Sequence, residues 1–468
     1  MNTVSVNDDM IGSERSIQAT AQPMLVSEIE LSEPLPALGP AYTPAGRRYH
    51  VARVLVRLHG EPLECVSVAL GEHPVSPDEL AATVWPAVAE RVGRHMVRDG
   101  RPVPDHLPAG GLPQAGAPRC VAERETFLVS APGVSVLIPT RERPDRLRRC
   151  LNSLLAGDYP SDRMVIVIVD NAPTTDGTRR TVDEYRDRVE MRYVREDATG
   201  SASARNRGLM EVDTEIVAMT DDDVLVDRHW LSEVVRTFAA FPEADVVSGL
   251  LLPSELETDA QLWFEEYGGF SRGFDRRVFD LGEHWPADEP LYPWTAGLFG
   301  TGNNFSFRAP ALRAMGGFDP ALGNGTPALG GVDSEVLLRA VLTGHTIVYE
   351  PRAIAMHAHR PDYEGLRRQV YAYGAGLSAY YVKTLLANPV LVTDFVRKLP
   401  TGLRFALSSA SSKNAGKTGS YPRELTWLER RGILYGPVGY LRSRRRYGPH
   451  PVPRARLPRA AAGSGRRG

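Results

Sequence analysis

TEIVAMTDDDVLVD, Thr214 to Asp227, decides the reading of this chain: an apolar run that ends in three consecutive aspartates. Ile216, Val217, Ala218 and Met219 read as a short strand buried on both faces, as in a parallel sheet covered by helices. Asp221, Asp222 and Asp223 fall just past its carboxyl end, the edge at which open α/β sheets collect ligands. Adjacent carboxylates repel unless a cation or hydrogen-bond donors hold them ionised together, and a hard divalent metal is the simplest occupant. An acidic triplet on a solvated loop needs no ligand, but here Val224, Leu225 and Val226 resume the apolar character.

Working outward, VSVLIPT (Val134 to Thr140) reads as a strand stopped near Pro139, followed by the amphipathic RERPDRLRRCLNSLL. MVIVIVDNAP makes a second buried strand ending at Asp170 and Asn171, and VEMRYVRED a third. GSASARNRGLMEV is helical and leads back into the strand of the aspartates. This is the β-α-β-α-β alternation of a doubly wound, Rossmann-like nucleotide-binding domain, with helices on both faces of the sheet. The strand ends bring Arg141 and Glu142, Asp170, and Asp221 to Asp223 toward one crevice. No GxGxxG or GxxxxGK[ST] fingerprint occurs, so a pyrophosphate held through a metal fits better than a dinucleotide or P-loop site.

The chain has 468 residues, enough for one large or two ordinary domains. Its 55 Lys plus Arg nearly balance 57 Asp plus Glu, so no overall field recruits nucleic acid. Cys65, Cys120 and Cys150 are odd in number and widely spaced, which argues against a disulfide framework or a zinc site and suits a reducing compartment. No apolar run is long enough to span a bilayer and MNTVSVNDDM is no signal peptide, so a cytoplasmic protein is expected.

Residues 1–44 read as a disordered arm and 45–128 as a small accessory α+β unit with its linker. In that unit VARVLVRLHG and EPLECVSVAL form a β-hairpin, and SPDELAATVWPAVAERVGRHMVRDG a helix capped by Ser76 and Asp78. Residues 129–362 read as the main domain and 363–440 as a helical region. Residues 441–468 are an arginine-rich tail without an acidic residue, basic enough to contact anionic lipid at the inner face of a membrane.

The ordered set IPTRERPDRLRRCLNSLL, VIVIVDNAPTTDGT, ARNRGL, VAMTDDDV and GGVDSEVLLRAVLTGHTIVYEPRAIAMHAHR resembles the family-2 glycosyltransferases, over Val134 to Tyr381. That resemblance implies a GT-A fold and transfer of a sugar from a nucleotide-sugar donor, a uridine diphosphate sugar by family habit, to a hydroxyl acceptor on a glycan, lipid or small metabolite. Position by position, it implies that Asp170 bonds the nucleobase and that Pro139, Thr140, Arg141 and Glu142 form the loop beside the nucleoside. Arg205 and Asn206 lie near the donor, and Asp221 to Asp223 is the DxD motif. Asp221 and Asp223 would bind Mn2+ or Mg2+ with His357, while Asp222 stands between them at the donor. His359 and Arg360 would reach the diphosphate.

Asp333 would be the general base of an inverting displacement, at the start of a helix behind Gly330 and Gly331. An acidic residue often precedes that base in the family, whereas Val332 stands here. The QxxRW signature of processive members is absent after Gln369, which implies transfer of a single sugar. Gly300, Gly302, Asn303 and Asn304 suggest a cleft-lining loop whose amides meet sugar hydroxyls. Trp263, Trp285 and Trp294 offer stacking surfaces, although core packing suits at least two of them. Asp319 is either near the acceptor or a turn former before Pro320.

Two other readings remain. A sugar-phosphate nucleotidyltransferase calls for a glycine-rich loop where IPTRERP stands. A silent nucleotide-sugar-binding scaffold has no reason to keep Asp221, Asp223, Asp333 and His357 together.

Overall fold

The computed structural model describes residues 22–455 except 114–115, 409–410, 412, 415 and 452. A small sheet comes first, with β1 (Met24–Glu30), β2 (Val51–Leu58) and β3 (Glu61–Ala69) side by side in that order. β1 runs parallel to β2, and β3 returns antiparallel through a turn at His59 and Gly60. α1 (Pro77–Arg98) covers this sheet, and Ser76 and Glu79 close its first turn as a reciprocal capping box. β1 lies inside the stretch expected to be a disordered arm. MLVSEIE shows no clean alternation, and its strand state depends on a partner, Val51–Leu58, that local composition does not reveal.

α2 (Arg119–Val129) leads into the large sheet. There β4 (Val134–Thr140), β5 (Met164–Asn171), β6 (Glu190–Glu196) and β7 (Ile216–Thr220) pair in parallel, in the order β6-β5-β4-β7. α3 (Pro144–Leu155), α4 (Gly177–Asp183) and α5 (Ser201–Leu209) connect them. Alternating residues separate the two faces: Val136, Ile138 and Ala218 pack on one side, Leu137, Val217 and Met219 on the other. Both faces are covered, which explains why these strands read as unbroken apolar runs.

Beyond β7 the sheet becomes mixed. β8 (Val224–Val226), α6 (Trp230–Ala240), β9 (Ala244–Pro253), α7 (Asp259–Tyr267) and β10 (Arg277–Phe279) come next in the chain. β11 (Asn304–Arg308), α8 (Ala309–Ala314), α9 (Val332–Thr343) and β12 (Thr346–His357) complete it. β11 lies antiparallel between β7 and β9, and β12 pairs with β9, β10 and β8.

α10 (Tyr363–Ala387), α11 (Val392–Leu407) and α12 (Arg423–Tyr447) close the chain. α10 and α12 cross so closely that a Cβ at Gly432 would lie 2.2 Å from the Tyr371 carbonyl oxygen. α12 runs on through Tyr447, so the start of the expected tail at residue 441 is helical, with its Ser443, like Tyr440 just before it, buried. Among the described residues no helix is long and apolar enough to cross a membrane. The small unit has its own core around Val54, Leu80 and Val88, and Leu55 joins it to Leu250, Leu252 and Ile354 of the large sheet.

Candidate active site

The crevice opens where β4, β5 and β7 end, and the chain geometry after β7 brings a histidine to it. Having left the sheet through the triplet, the backbone turns back as β8 and pairs antiparallel with the end of β12, Val224 opposite His357. His357 Nε2 thereby comes to 3.7 Å from Asp223 Oδ1.

The three aspartates point in three directions. Asp222 is buried and turns back to β4, where the Thr140 hydroxyl donates to it at 2.7 Å and Arg143 at 3.2 Å. Burial and the neighbouring Asp223 push its carboxyl up. Asp223 faces His357 and accepts from Arg146 at 3.3 Å and Arg143 at 3.5 Å. Asp221 accepts from Arg205 at 2.9 Å and from the Asn303 amide at 3.0 Å. Burial pushes Asp221 up to about 7, with Asp223, Asp333 and Asp222 adding to the rise and Arg205 opposing it.

Arg205 joins the triplet to Asp333. Its guanidinium is buried over the rings of Phe305 and Phe318, and one nitrogen donates to Asp221 while the other donates to Asp333, both at 2.9 Å. Asp333 sits in the first turn of α9, a third exposed, and its recorded partner is Arg205. Gly302 packs so near that a Cβ there would fall 2.1 Å from the Asp333 carboxyl carbon. Tyr373 of α10, which the sequence did not single out, stands near this wall, more than a third exposed; desolvation of its hydroxyl, with Asp333 and Asp223 acting in the same direction, raises its phenol above the ordinary value.

Asp170 lies at the end of β5, fully buried. The Tyr193 hydroxyl donates to Oδ2 at 2.9 Å, while Oδ1 has no hydrogen-bond partner. A buried acceptor with an open lone pair at a strand end fits an N–H donor on a ligand.

Other expected residues have different duties. Glu142, in a left-handed backbone conformation, spends its carboxylate on the backbone N–H and hydroxyl groups of Thr174 and Thr175, which hold it at about 2. Arg141 is exposed beside it, and Pro139 is half-buried in β4. Asn206 turns from the crevice, its amide both donating to and accepting from the Phe318 backbone. Asn304 is buried between the Trp230 indole and the Leu250 and Ala353 carbonyls, so it cannot meet a sugar hydroxyl as expected. Asp319 is buried in its turn, accepting from the Ala321 N–H. Trp263 and Trp294 are core residues, and Trp285 is partly buried.

His359 does not reach a diphosphate either. It is buried behind His357, with the two Nδ1 atoms 3.1 Å apart and its Nε2 2.9 Å from Glu265 Oε1. Arg53, from the small unit's β2, holds the other oxygen of Glu265. If His359 donates from Nε2 to Glu265, its Nδ1 accepts from His357 Nδ1–H, and His357 presents an Nε2 lone pair toward Asp223. Burial pushes His357 down to about 4, with His359 and Arg360 adding and Asp223 opposing, which keeps the imidazole neutral at neutral pH.

Asp223 and His357 thus form a carboxylate–imidazole pair that can share a hard cation. Among the described residues no third His, Cys or carboxylate closes a shell around them, and the remaining positions suit water and phosphate oxygens.

Residues 135–288 match the model of the family described as Glycosyl transferase family 2. The glucosyl-dolichyl phosphate glucuronosyltransferase of Haloferax volcanii is 27% identical over 229 residues, 48% of this chain and 68% of that protein. The pre-mycofactocin glycosyltransferase of Mycobacterium tuberculosis is 26% identical over 277 residues, 58% of this chain but only 53% of its own length. Among solved structures, the mannosyltransferase PcManGT of Pyrobaculum calidifontis, in complex with GDP-Man and Mn2+, is similar at 20% identity and a TM-score of 0.42, covering 66% of this chain and 87% of that one.

Proposed function

We propose that the chain, whose residues 135–288 match the Glycosyl transferase family 2 model, takes sugar from a nucleotide-sugar donor and transfers a single sugar by a metal-assisted displacement with inversion. The carrying observation is the shared guanidinium of Arg205, which holds Asp333 and Asp221 in one crevice with the Asp223–His357 pair.

In this reading Asp170 Oδ1 accepts an N–H from the nucleobase. A carboxylate acceptor there suits a ring N–H, which uracil and guanine present, whereas cytosine has a lone pair at that ring nitrogen and offers an N–H only from its exocyclic amine. UDP-sugars remain the donors proposed. Asp223 and His357 would hold Mn2+ or Mg2+, which stabilises charge on the departing diphosphate. Arg143 and Arg146, already paired to Asp223, lie beside that charge. Asp333, held in place by Arg205, takes the proton of the acceptor hydroxyl as its oxygen attacks the anomeric carbon. The bond to the diphosphate breaks on the opposite face, and the electron pair leaves on the diphosphate oxygen.

Calorimetry of the chain with UDP-, GDP- and CDP-sugars, with and without Mn2+, tests the donor side. Metal-dependent binding of UDP- or GDP-sugars in preference to CDP-sugars supports it, while equal binding of all three with or without metal removes it. Product anomeric configuration by NMR tests inversion.

A further inference from the structure

A second cluster of ligand-type side chains lies outside the crevice, within the small unit and its linker. His59 comes from the β2–β3 turn, His95 and Asp99 lie about one helical turn apart at the end of α1, and Cys120 stands in the first turn of α2. His59 Nδ1 is 2.9 Å from His95 Nε2, and Cys120 Sγ is 3.5 Å from each of these nitrogens. Asp99 Oδ2 is 3.0 Å from Cys120 Sγ, 3.4 Å from His59 Nδ1 and 3.5 Å from His95 Nε2. The four atoms are therefore all mutual neighbours. A hydrogen-bonded chain links successive groups only, whereas a tetrahedron with metal–ligand bonds of about 2.0–2.3 Å has six edges of roughly 3.3–3.7 Å.

We propose that His59, His95, Asp99 and Cys120 are the four ligands of a structural zinc site. The donor set, two imidazoles, one thiolate and one carboxylate, suits zinc better than the oxygen-seeking cation of the crevice. One thiolate and one carboxylate neutralise the charge of a divalent ion, which matters because His59, His95 and Asp99 are almost fully buried. As zinc binds, the Cys120 thiol proton passes to water and an Sγ–Zn bond forms.

The surroundings orient these donors. Glu61 Oε2 lies 2.8 Å from His95 Nδ1; a proton held there leaves the Nε2 lone pair pointing inward. The Cys120 backbone N–H donates to Asp99 Oδ1 at 3.2 Å, leaving Oδ2 to the cluster. His59 holds a left-handed backbone conformation, φ 56, at a turn position where Asn, Asp or Gly is usual. Four protein ligands fill a tetrahedral shell, so the role is structural: the ion ties the β2–β3 turn and α1 to α2. The expectation that three scattered cysteines disfavour zinc weighed the cysteines against one another. This site uses one of them with ligands 61 and 25 positions away.

The test is elemental analysis of the full chain purified without chelators, with cobalt substitution. About one zinc per chain is expected, falling about tenfold or more in Cys120→Ala and His95→Ala and unchanged in Asp223→Ala, whose carboxylate belongs to the crevice. Should the variants fail to fold, the wild-type chain still decides: stripped of metal and titrated with Co2+, it should show a thiolate-to-cobalt charge-transfer band and the intense visible bands of four-coordination. A wild-type chain that holds no zinc and gives no such band overturns the site, as does zinc retained in full by a folded Cys120→Ala protein.

Discussion

Arg205 divides its charge between two acids with different proposed tasks, Asp221 at the donor and Asp333 at the acceptor. Asp333→Asn keeps the shape and a hydrogen-bonding oxygen but cannot take a proton. Initial-rate kinetics should show kcat reduced about 10²- to 10⁴-fold, with calorimetric donor affinity nearly unchanged; near-normal turnover would end the assignment. His357 offers its Nε2 only while His359 accepts from its other nitrogen, so His359→Phe removes that acceptor and retains the ring packing against Phe264 and Phe270. The Mn2+ concentration for half-maximal activity should rise about 10- to 100-fold, with metal-free nucleotide binding little changed. At this scale the sequence exposed the residues that end strands, Asp170 and the triplet, and Asp333 at the start of a helix. It hid the partners that reach them through tertiary packing. Arg143 precedes a helix, and Arg146, Tyr373 and Glu265 lie on helices, whose facing residues come from remote parts of the chain, and no local spacing signals such meetings.

Among the elements, α11 is a long helix none of whose residues is buried. Val396, Leu399, Leu403 and Leu407 are all more than two-fifths exposed, at helical spacing, with Arg397 and Arg404 interspersed. Such a helix has the pattern of an interfacial one. Leu399→Glu together with Leu403→Glu should at least halve the fraction of protein pelleting with anionic liposomes, while binding nucleotide as before; equal pelleting would dismiss this surface. Deleting 441–468 tests the basic tail separately, although residues 456–468 lie outside the described residues. The parallel strands of the large sheet were legible because burial on both faces writes an uninterrupted apolar run. β1 was not, since an edge strand of mixed polarity looks like a loop until its partner is known.

Across the whole molecule, charge is sequestered at a joint between the sheet domain and the C-terminal helices. Glu335 of α9 is buried with Arg339 and with Lys383 of α10. Burial raises its carboxyl, but Arg339 and Lys383 more than offset this and hold it at about 2, below the ordinary 4.5. A depressed folded value means the stabilisation is complete above pH 4.5 and is lost as pH falls from there toward 2. Urea unfolding across that window should show the decline in the parent chain and a flatter one in Glu335→Gln, which should also be less stable at neutral pH by about 3–5 kcal/mol. Composition showed that a charged-balanced chain of this length folds a sizeable core, but not how the first unit meets the second. That junction includes Leu55, Arg53 and Arg57, three residues of one strand, the last paired with Asp227. Arg53 pairs with Glu265, which steadies the imidazoles of His359 and His357. Trimming the polypeptide to a minimal catalyst would discard that arginine and leave Glu265 with His359 as its remaining ion partner. A loss of turnover in such a fragment would then report a disturbed brace, even with every reacting group still in the chain.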